Sequence, residues 1–256
     1  MQANVKSILI LGLPGTGKTE LAKELSSRIH AIHWNADMVR KTINSDLGFS
    51  IEDRVEQARR MYWLAALTKI QGHNSVVDFI CPNVETRKAA KVREFDIVVW
   101  MNRTPSRDFA DTSSMWEDPI HYDIEINDGL TVKEEADLII KQFQLFDYRK
   151  PTTLLLGRYQ PWHEGHSALV REAEKRTDQV LVGVRDTFQT SEKDPMEFNE
   201  VVNNINKAED GSFILNLPNI TNIVYGRDVG YLIEKIDLGA DIESISATEK
   251  RKQMGL

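Results

Sequence analysis

Two stretches of this chain combine residue types and spacings that do chemistry on phosphate. The first is GLPGTGKT at 12–19, which fits G-x-x-x-x-G-K-[ST] through Gly12, Gly17, Lys18 and Thr19. Gly12, Gly15 and Gly17 let backbone N–H groups curl round an anion, and a helix N-terminus adds partial positive charge. Lys18 is expected to reach the β- and γ-phosphates of ATP, and the Thr19 hydroxyl to bind Mg2+. The second is GRYQPWHEGH at 157–166. Its H-x-x-H spacing sets His163 and His166 on one helical turn. As metal ligands they lack an evident third partner. As phosphate contacts they donate to the charge that develops when an α-phosphorus is attacked, with Gly157 and Arg158 at the turn as further nucleotide contacts.

Two acids are candidates to complete the first site. Asp37 stands just past the strand pattern AIHWNAD. It is placed to orient Mg2+ or to accept the proton of an attacking hydroxyl; its alternative role is the N-cap of MVRKTI. Asp78 ends SVVDF, where a second metal-linked acid often sits, the alternative being a hydrogen-bonded structural carboxylate.

The elements that must position these residues follow a βα rhythm. KSILILG is a continuous apolar run, as in a parallel strand covered on both faces, and KTELAKELSSRI has helical spacing at Leu21, Leu25 and Ile29. IEDRVEQARRMYWLAALTKIQG reads as a long helix opened by Ser50, with Asp53 three residues on in a capping box. NSVVDFI and FDIVVWM read as strands, NVETRKAAKVR as the helix between them, and TVKEEADLIIKQFQLF as a closing helix. A doubly wound parallel sheet is predicted. The polar stretch DYRKP at 147–151 precedes a fresh strand, TTLLLG, so the boundary falls between domains 1–149 and 150–256. The rhythm then restarts with helix EGHSALVREAEKRT, strand QVLVGVR, a helix near 196–207, strand NIVYG and a C-terminal helix from Thr248.

Bulk properties narrow the classes. A net charge of −7 gives no sequence-wide attraction to nucleic acid or anionic membrane, so a polyanion must be held by local basic clusters. The single cysteine, Cys81, rules out an intrachain disulfide and fits a reducing compartment. No stretch reaches the length of an apolar membrane span, and MQANVKSILILGLPG reads as a strand leading into a loop, not a signal peptide. The expected location is the cytoplasm. The expected partners are small-molecule nucleotides, with a homodimer allowed and neither nucleic acid nor membrane.

NADMVRKTINSDLGFSIEDRVEQARR resembles the adenylylsulfate kinases, whose pattern runs roughly D-G-D-N-V-R-x-x-L-N-x-D-L-G-F-S-x-x-D-R-x-E-N-x-R-R. The resemblance implies that Asp37 is the catalytic and metal-linked acid. It also implies that Arg40, Asn44 and Arg54 contact an acceptor nucleotide and that Phe49 stacks on its base, chemistry suited to guanidinium and aromatic groups. The alternative leaves Phe49 in the core and the arginines as solvated helix charges. The sequence departs from the family at three places: FICP puts Cys81 where the family has serine, Asp78 stands where the family has no acid, and RTPSRDFADTSSMWEDPIHYD lacks the family's basic lid segment.

GRYQPWHEGH resembles the nucleotidyltransferases of the H-x-G-H superfamily, and ISATEKR at 245–251 is similar to their I-S-[ST]-T-x-[IV]-[RK] motif through Ser246, Thr248 and Arg251. That resemblance implies a small Rossmann-like, cytidylyltransferase-like domain that holds a second NTP, CTP or ATP, with Lys193 as a phosphate-binding lysine. An acceptor oxyanion would displace pyrophosphate directly. Together the two resemblances imply a bifunctional enzyme of the kind used in sulfate activation: a nucleotide conjugate is made, then phosphorylated on a hydroxyl such as the ribose 3′-OH. Two alternatives are a nicotinamide mononucleotide adenylyltransferase fused to a nucleoside kinase, and a non-catalytic nucleotide sensor with one degenerate half.

Overall fold

The computed structural model describes residues 5–105, 110–188, 190–209, 211–224, 226–227, 230, 232–239, 245 and 247–255. The chain divides into two compact units, one from Val5 to Arg149 and one beginning at Lys150.

In the first unit, β1 (Ser7–Gly12) is buried at every position, which is why its sequence is a continuous apolar run rather than an alternating one. It is the central strand of a parallel sheet in the order β2-β3-β1-β4-β5, with β2 (Ile32–Asn35), β3 (Ser75–Phe79), β4 (Ile97–Met101) and β5 (Ile124–Ile126). Successive side chains alternate between the two faces. Ile8 and Ile10 pack with Leu21 and Leu25 of α1 (Lys18–Ile29) and Ile139 of α6 (Val132–Gln142). Leu9 and Leu11 pack with Ala58 and Met61 of α3 (Ile51–Ile70) on the other face. Three short helices complete the unit: α2 (Ala36–Lys41), α4 (Val84–Ala89) and α5 (Ala110–Ser113).

Several local expectations change. The helix expected over 83–93 stops at Ala89 and resumes as a single 3-10 turn, Val92–Glu94, because Lys91 takes a left-handed backbone. The closing helix ends at Gln142. β5 carries no periodic signal, being only three residues long. Ser50 does accept from the Asp53 N–H at 3.1 Å, but the Asp53 carboxylate turns back to the Gly48 N–H at 3.0 Å, so the capping box is not reciprocal.

The second unit holds β6 (Thr153–Gly157), α7 (Glu164–Glu174), β7 (Val180–Arg185), α8 (Phe198–Ala208), β8 (Phe213–Leu217) and α9 (Ala247–Met254). Its parallel sheet has the order β6-β7-β8. Both crossovers step in one direction, and right-handed connections then place α7 and α8 on the same face. There Val170, Val201 and Ile205 pack with Val182, Val184 and Ile214. The strand expected at NIVYG is not found over 222–224, Tyr225 lying outside the described residues: FILNL at 213–217 pairs with β7 in register Leu181↔Phe213, while Ile220, Ile223 and Val224 are exposed. Burial of Ile214 against α8 decides the matter, and no period-2 count would have shown it. Among the described residues, no helix is long and apolar enough to cross a membrane.

Candidate active site

The phosphate-loop motif crosses from the carboxyl end of β1 to the N-terminus of α1. At Gly12 a Cβ would lie 2.7 Å from the Met101 carbonyl oxygen, so only glycine lets the loop leave β1 alongside β4. Lys18 is the first residue of α1 and is 8% exposed. Its ammonium folds back into the loop and donates to the Leu13 carbonyl at 2.6 Å. Burial lowers its pKa to about 8, against the opposing pull of Asp78 and Asp37. A buried lysine bonded to a loop carbonyl is poised to exchange that carbonyl for a phosphate oxygen.

Thr19 makes the next contact. Its hydroxyl donates to Asp78 Oδ2 at 2.6 Å and accepts from Asn35 Nδ2 at 3.2 Å. Asn35 Nδ2 also donates to Asp78 Oδ2 at 2.9 Å, and His33 Nε2 lies 2.6 Å from Asp78 Oδ1. Asp78 is 2% exposed, and its carboxylate is compensated by hydrogen bonds, as a buried charge requires. Among the described residues, no group of three or more His, Cys, Asp and Glu side chains is arranged to hold a metal ion. Mg2+ keeps several waters and takes one or two protein oxygens beside substrate phosphates, and the oxygens at this corner are those of Thr19 and Asp78.

Asp37 is not the helix cap. Asn35 fills that role, its Oδ1 accepting from the Met38 N–H at 3.0 Å. Asp37 is exposed in the first turn of α2, on the cleft wall, where its charge acts on both Lys18 and Arg40. The cleft has a volume of about 790 Å³ and runs from the phosphate loop to Arg40, Phe49 and Arg54. At that far end Phe49 is 70% exposed, with the Arg40 guanidinium 4.9 Å and the Arg54 guanidinium 5.8 Å from its ring centroid. Arg40 donates to the Gly48 carbonyl; Arg54 donates to the Phe49 carbonyl at 3.0 Å and to Asp111 at 3.1 Å. Burial and the neighbouring Arg54 charge both loosen Arg40's hold on its proton, an arrangement that an anion would relieve.

Asn44 is not on the cleft wall. It is buried, donating to Gln57 Oε1 at 2.8 Å and accepting from Arg60 at 3.3 Å. Gln57, which lines the cleft, donates in turn to the Ala36 carbonyl at 3.1 Å. Cys81 also lines the cleft; burial pushes its thiol up to about 12, so it is an inert wall. Two residues at this corner that sequence reasoning missed are His33 and Asn35, since neither stands in a motif position that signals a role.

In the second unit, GRYQPWHEGH forms the turn from β6 into α7. A Cβ on Gly157 would meet the Tyr159 ring at 2.7 Å, and Tyr159 takes φ 53° to fold back over it. Arg158 pairs with Asp194 at 3.0 Å, and the Gln160 amide brackets the Met196 backbone at 2.8 and 2.9 Å. The Gln160–Pro161 bond is cis. His163 caps α7, its N–H donating to His166 Nδ1 at 3.2 Å, and the two rings stack at 3.8 Å. Because Nδ1 accepts, His166 carries its hydrogen on Nε2. Burial, with His163 adding to it, lowers the His166 pKa to about 3; burial and Lys250 lower that of His163. Arg251 of α9 donates to the Gln160 carbonyl at 2.8 Å and to Thr248 Oγ1 at 3.2 Å. Lys193 is exposed on the Ser191–Asp194 turn. Ser246 lies outside the described residues.

Fold and site give the first unit the architecture of a P-loop domain: a parallel sheet, a phosphate loop on its central strand and an acid facing that loop across a cleft. Residues 4–105, less than half of the chain, match the family model for adenylylsulphate kinase. The adenylyl-sulfate kinase of Paraburkholderia xenovorans is 38% identical over 102 residues, covering 37% of this chain and 57% of that protein. The bifunctional enzyme CysN/CysC of Xylella fastidiosa is 37% identical over 93 residues, 34% of this chain and 15% of that protein. The adenylyl-sulfate kinase of Halothermothrix orenii is 28% identical over 179 residues, 59% of this chain and 96% of that protein. The chain thus spans little more than half of the first relative's length and a small part of the second's. Among solved structures, the Mycobacterium tuberculosis APS kinase CysC in complex with AMPPNP and APS aligns with a TM-score of 0.48 at 22% identity, over 55% of this chain and 98% of that one.

Proposed function

We propose that the first unit transfers the γ-phosphoryl group of ATP to a hydroxyl of adenylylsulfate or a similar nucleotide conjugate, most simply the ribose 3′-OH. The observation that carries this reading is the single cleft in which Lys18, Thr19 and Asp37 face Arg40, Phe49 and Arg54. Lys18 and the α1 N-terminus hold the donor phosphates, Phe49 stacks on the acceptor base, and Arg40 and Arg54 hold the acceptor's anionic groups. Asp37 accepts the hydroxyl proton as the oxygen bonds to the γ-phosphorus and the bond to ADP breaks. Thr19 and Asp78 would hold a Mg2+ carried in with the nucleotide, which would supply charge neutralisation to the transferring phosphoryl group. Phosphorylation of adenylylsulfate by the purified chain, followed by mass spectrometry of the product, tests the proposal. Formation of no phosphorylated product from any 5′-nucleotide conjugate sinks it.

A second activity is favoured by a separate observation. Arg251 joins ISATEKR to the Gln160 carbonyl of GRYQPWHEGH, so two motifs far apart in sequence meet at one helix start. This supports nucleotidyl transfer in the second unit: an acceptor oxyanion attacks the α-phosphorus of an NTP, pyrophosphate leaves, and the Nε2–H of neutral His166 donates to the phosphate. Pyrophosphate release, measured with each NTP across sulfate and phosphoester acceptors, tests it. Lys18→Ala should abolish phosphoryl transfer and leave pyrophosphate release intact; loss of both reactions together refutes two separate sites.

A further inference from the structure

The corner of the cleft under Thr19 contains a histidine that the phosphotransfer reading leaves unused. His33 stands on β2, the edge strand, two residues before Asn35, and its ring is partly buried beside Asp78 on β3. Strand register brings the groups together: Asn35 is the direct partner of Asp78, and His33 is the partner of Val76 on the same strand pair. Period-2 alternation then puts His33, Asn35, Val76 and Asp78 on one face of the sheet. Asp78 can only accept hydrogen bonds while ionised, so His33 Nε2, 2.6 Å from Oδ1, is the donor. Oδ2 is taken by Thr19 and Asn35. With donors on both oxygens, the carboxylate plane is fixed, and the Thr19 hydroxyl it accepts from is fixed with it.

We infer that His33 is a positioning residue for the metal corner of this site: by donating to Asp78 Oδ1 it fixes the carboxylate that holds the Thr19 hydroxyl in place for Mg2+. The inference rests on the reading of this cleft as a Mg2+-nucleotide site. His33 is not among the residues lining the cleft and acts through Asp78. Removing a hydrogen-bond partner of such a group weakens metal affinity by about 10- to 100-fold, whereas phosphate contacts made by Lys18 and the loop backbone do not pass through Asp78.

The experiment is a Mg2+ titration of nucleotide binding, using a fluorescent ATP analogue and the full chain, with a parallel titration in EDTA. His33→Leu should raise the half-saturating Mg2+ concentration about 10-fold or more while leaving affinity in EDTA unchanged. His33→Gln, whose amide nitrogen replaces the Nε2 donor, should recover most of that loss. In an Asp78→Ala background, which removes the acceptor, His33→Leu should add nothing. The inference is overturned if His33→Leu leaves the Mg2+ dependence unchanged, if leucine and glutamine are equally impaired, or if the two changes at 33 and 78 are additive. Wild-type binding that ignores Mg2+ would overturn the underlying reading of the cleft, and the role of His33 with it.

Discussion

Asn35 and Asp78 are direct register partners on neighbouring strands, with Nδ2 2.9 Å from Oδ2 and both within hydrogen-bond reach of the Thr19 hydroxyl. The pair offers two seats for one carboxylate. Asn35→Asp should therefore set two carboxylates against each other, raise the pKa of one and destabilise the fold by about 1–3 kcal/mol near neutral pH. A group whose folded pKa is raised is tolerated below its unfolded pKa, so the penalty should shrink as pH falls towards about 4, the ordinary aspartate value. Adding Asp78→Asn should recover stability at pH 7, because a carboxylate at position 35 would cap α2 as well as the native asparagine does. Urea unfolding of the two single variants and the double variant checks this; additive losses would contradict it.

Lys18 makes a prediction about pH. Burial lowers its pKa to about 8 from the ordinary 10.5. Between those values the unfolded chain still binds a proton that the folded chain has released, so the stability of the nucleotide-free protein should rise with pH across that window. Lys18→Met should abolish the rise and be the more stable protein at pH 7, by a few kcal/mol at most, while losing ATP binding. Unfolding curves at a series of pH values, without nucleotide, provide the measurement.

Phe49 exposes its ring between two guanidinium groups, so truncating it costs the fold little and the acceptor much. Phe49→Ala should raise KM for the nucleotide acceptor by about 10- to 100-fold, the equivalent of one lost base stack, with KM for ATP within about twofold. Steady-state kinetics with each substrate varied in turn separates the two; a matched rise in both would place Phe49 elsewhere in the reaction.

His166 is held neutral by burial and by its neighbour His163, with a pKa of about 3. Pyrophosphate release should accordingly show no acid limb at or above pH 6.5, the ordinary histidine value, since His163 is shifted downward as well. His166→Ala should lower the rate by about 10²- to 10³-fold, the loss expected for one donor to developing charge. A rate that collapses just below the ordinary histidine value would mean that an imidazolium is required.

How much of this was legible beforehand depends on the range of the interactions. GLPGTGKT could be read directly because its strand, loop and helix are contiguous, and local geometry alone aims the backbone and Lys18 inward. The helices α1 and α3 followed from spacing for the same reason. NIVYG and FILNL are two short apolar runs near 220 of equal β character, and only packing of Ile214 against α8 makes FILNL the strand. Asn44 matched a family position, yet its amide is spent within the protein on Gln57, a partner that neighbouring letters do not reveal.

By itself the sequence determined that the first half carries a phosphate loop on a buried strand, an acid beyond the next strand and an aromatic with flanking arginines, because each is a short-range consequence of residue type and order. Only the tertiary structure decided that Asp78 is held from three sides by Thr19, Asn35 and His33, and that Arg251 reaches Gln160. Those contacts join residues between 43 and 91 positions apart. The Asn35 and His33 contacts exist because parallel strands brought side by side by their crossovers align in one register, and the Arg251 contact because a helix packs on a distant loop; no local stretch encodes either.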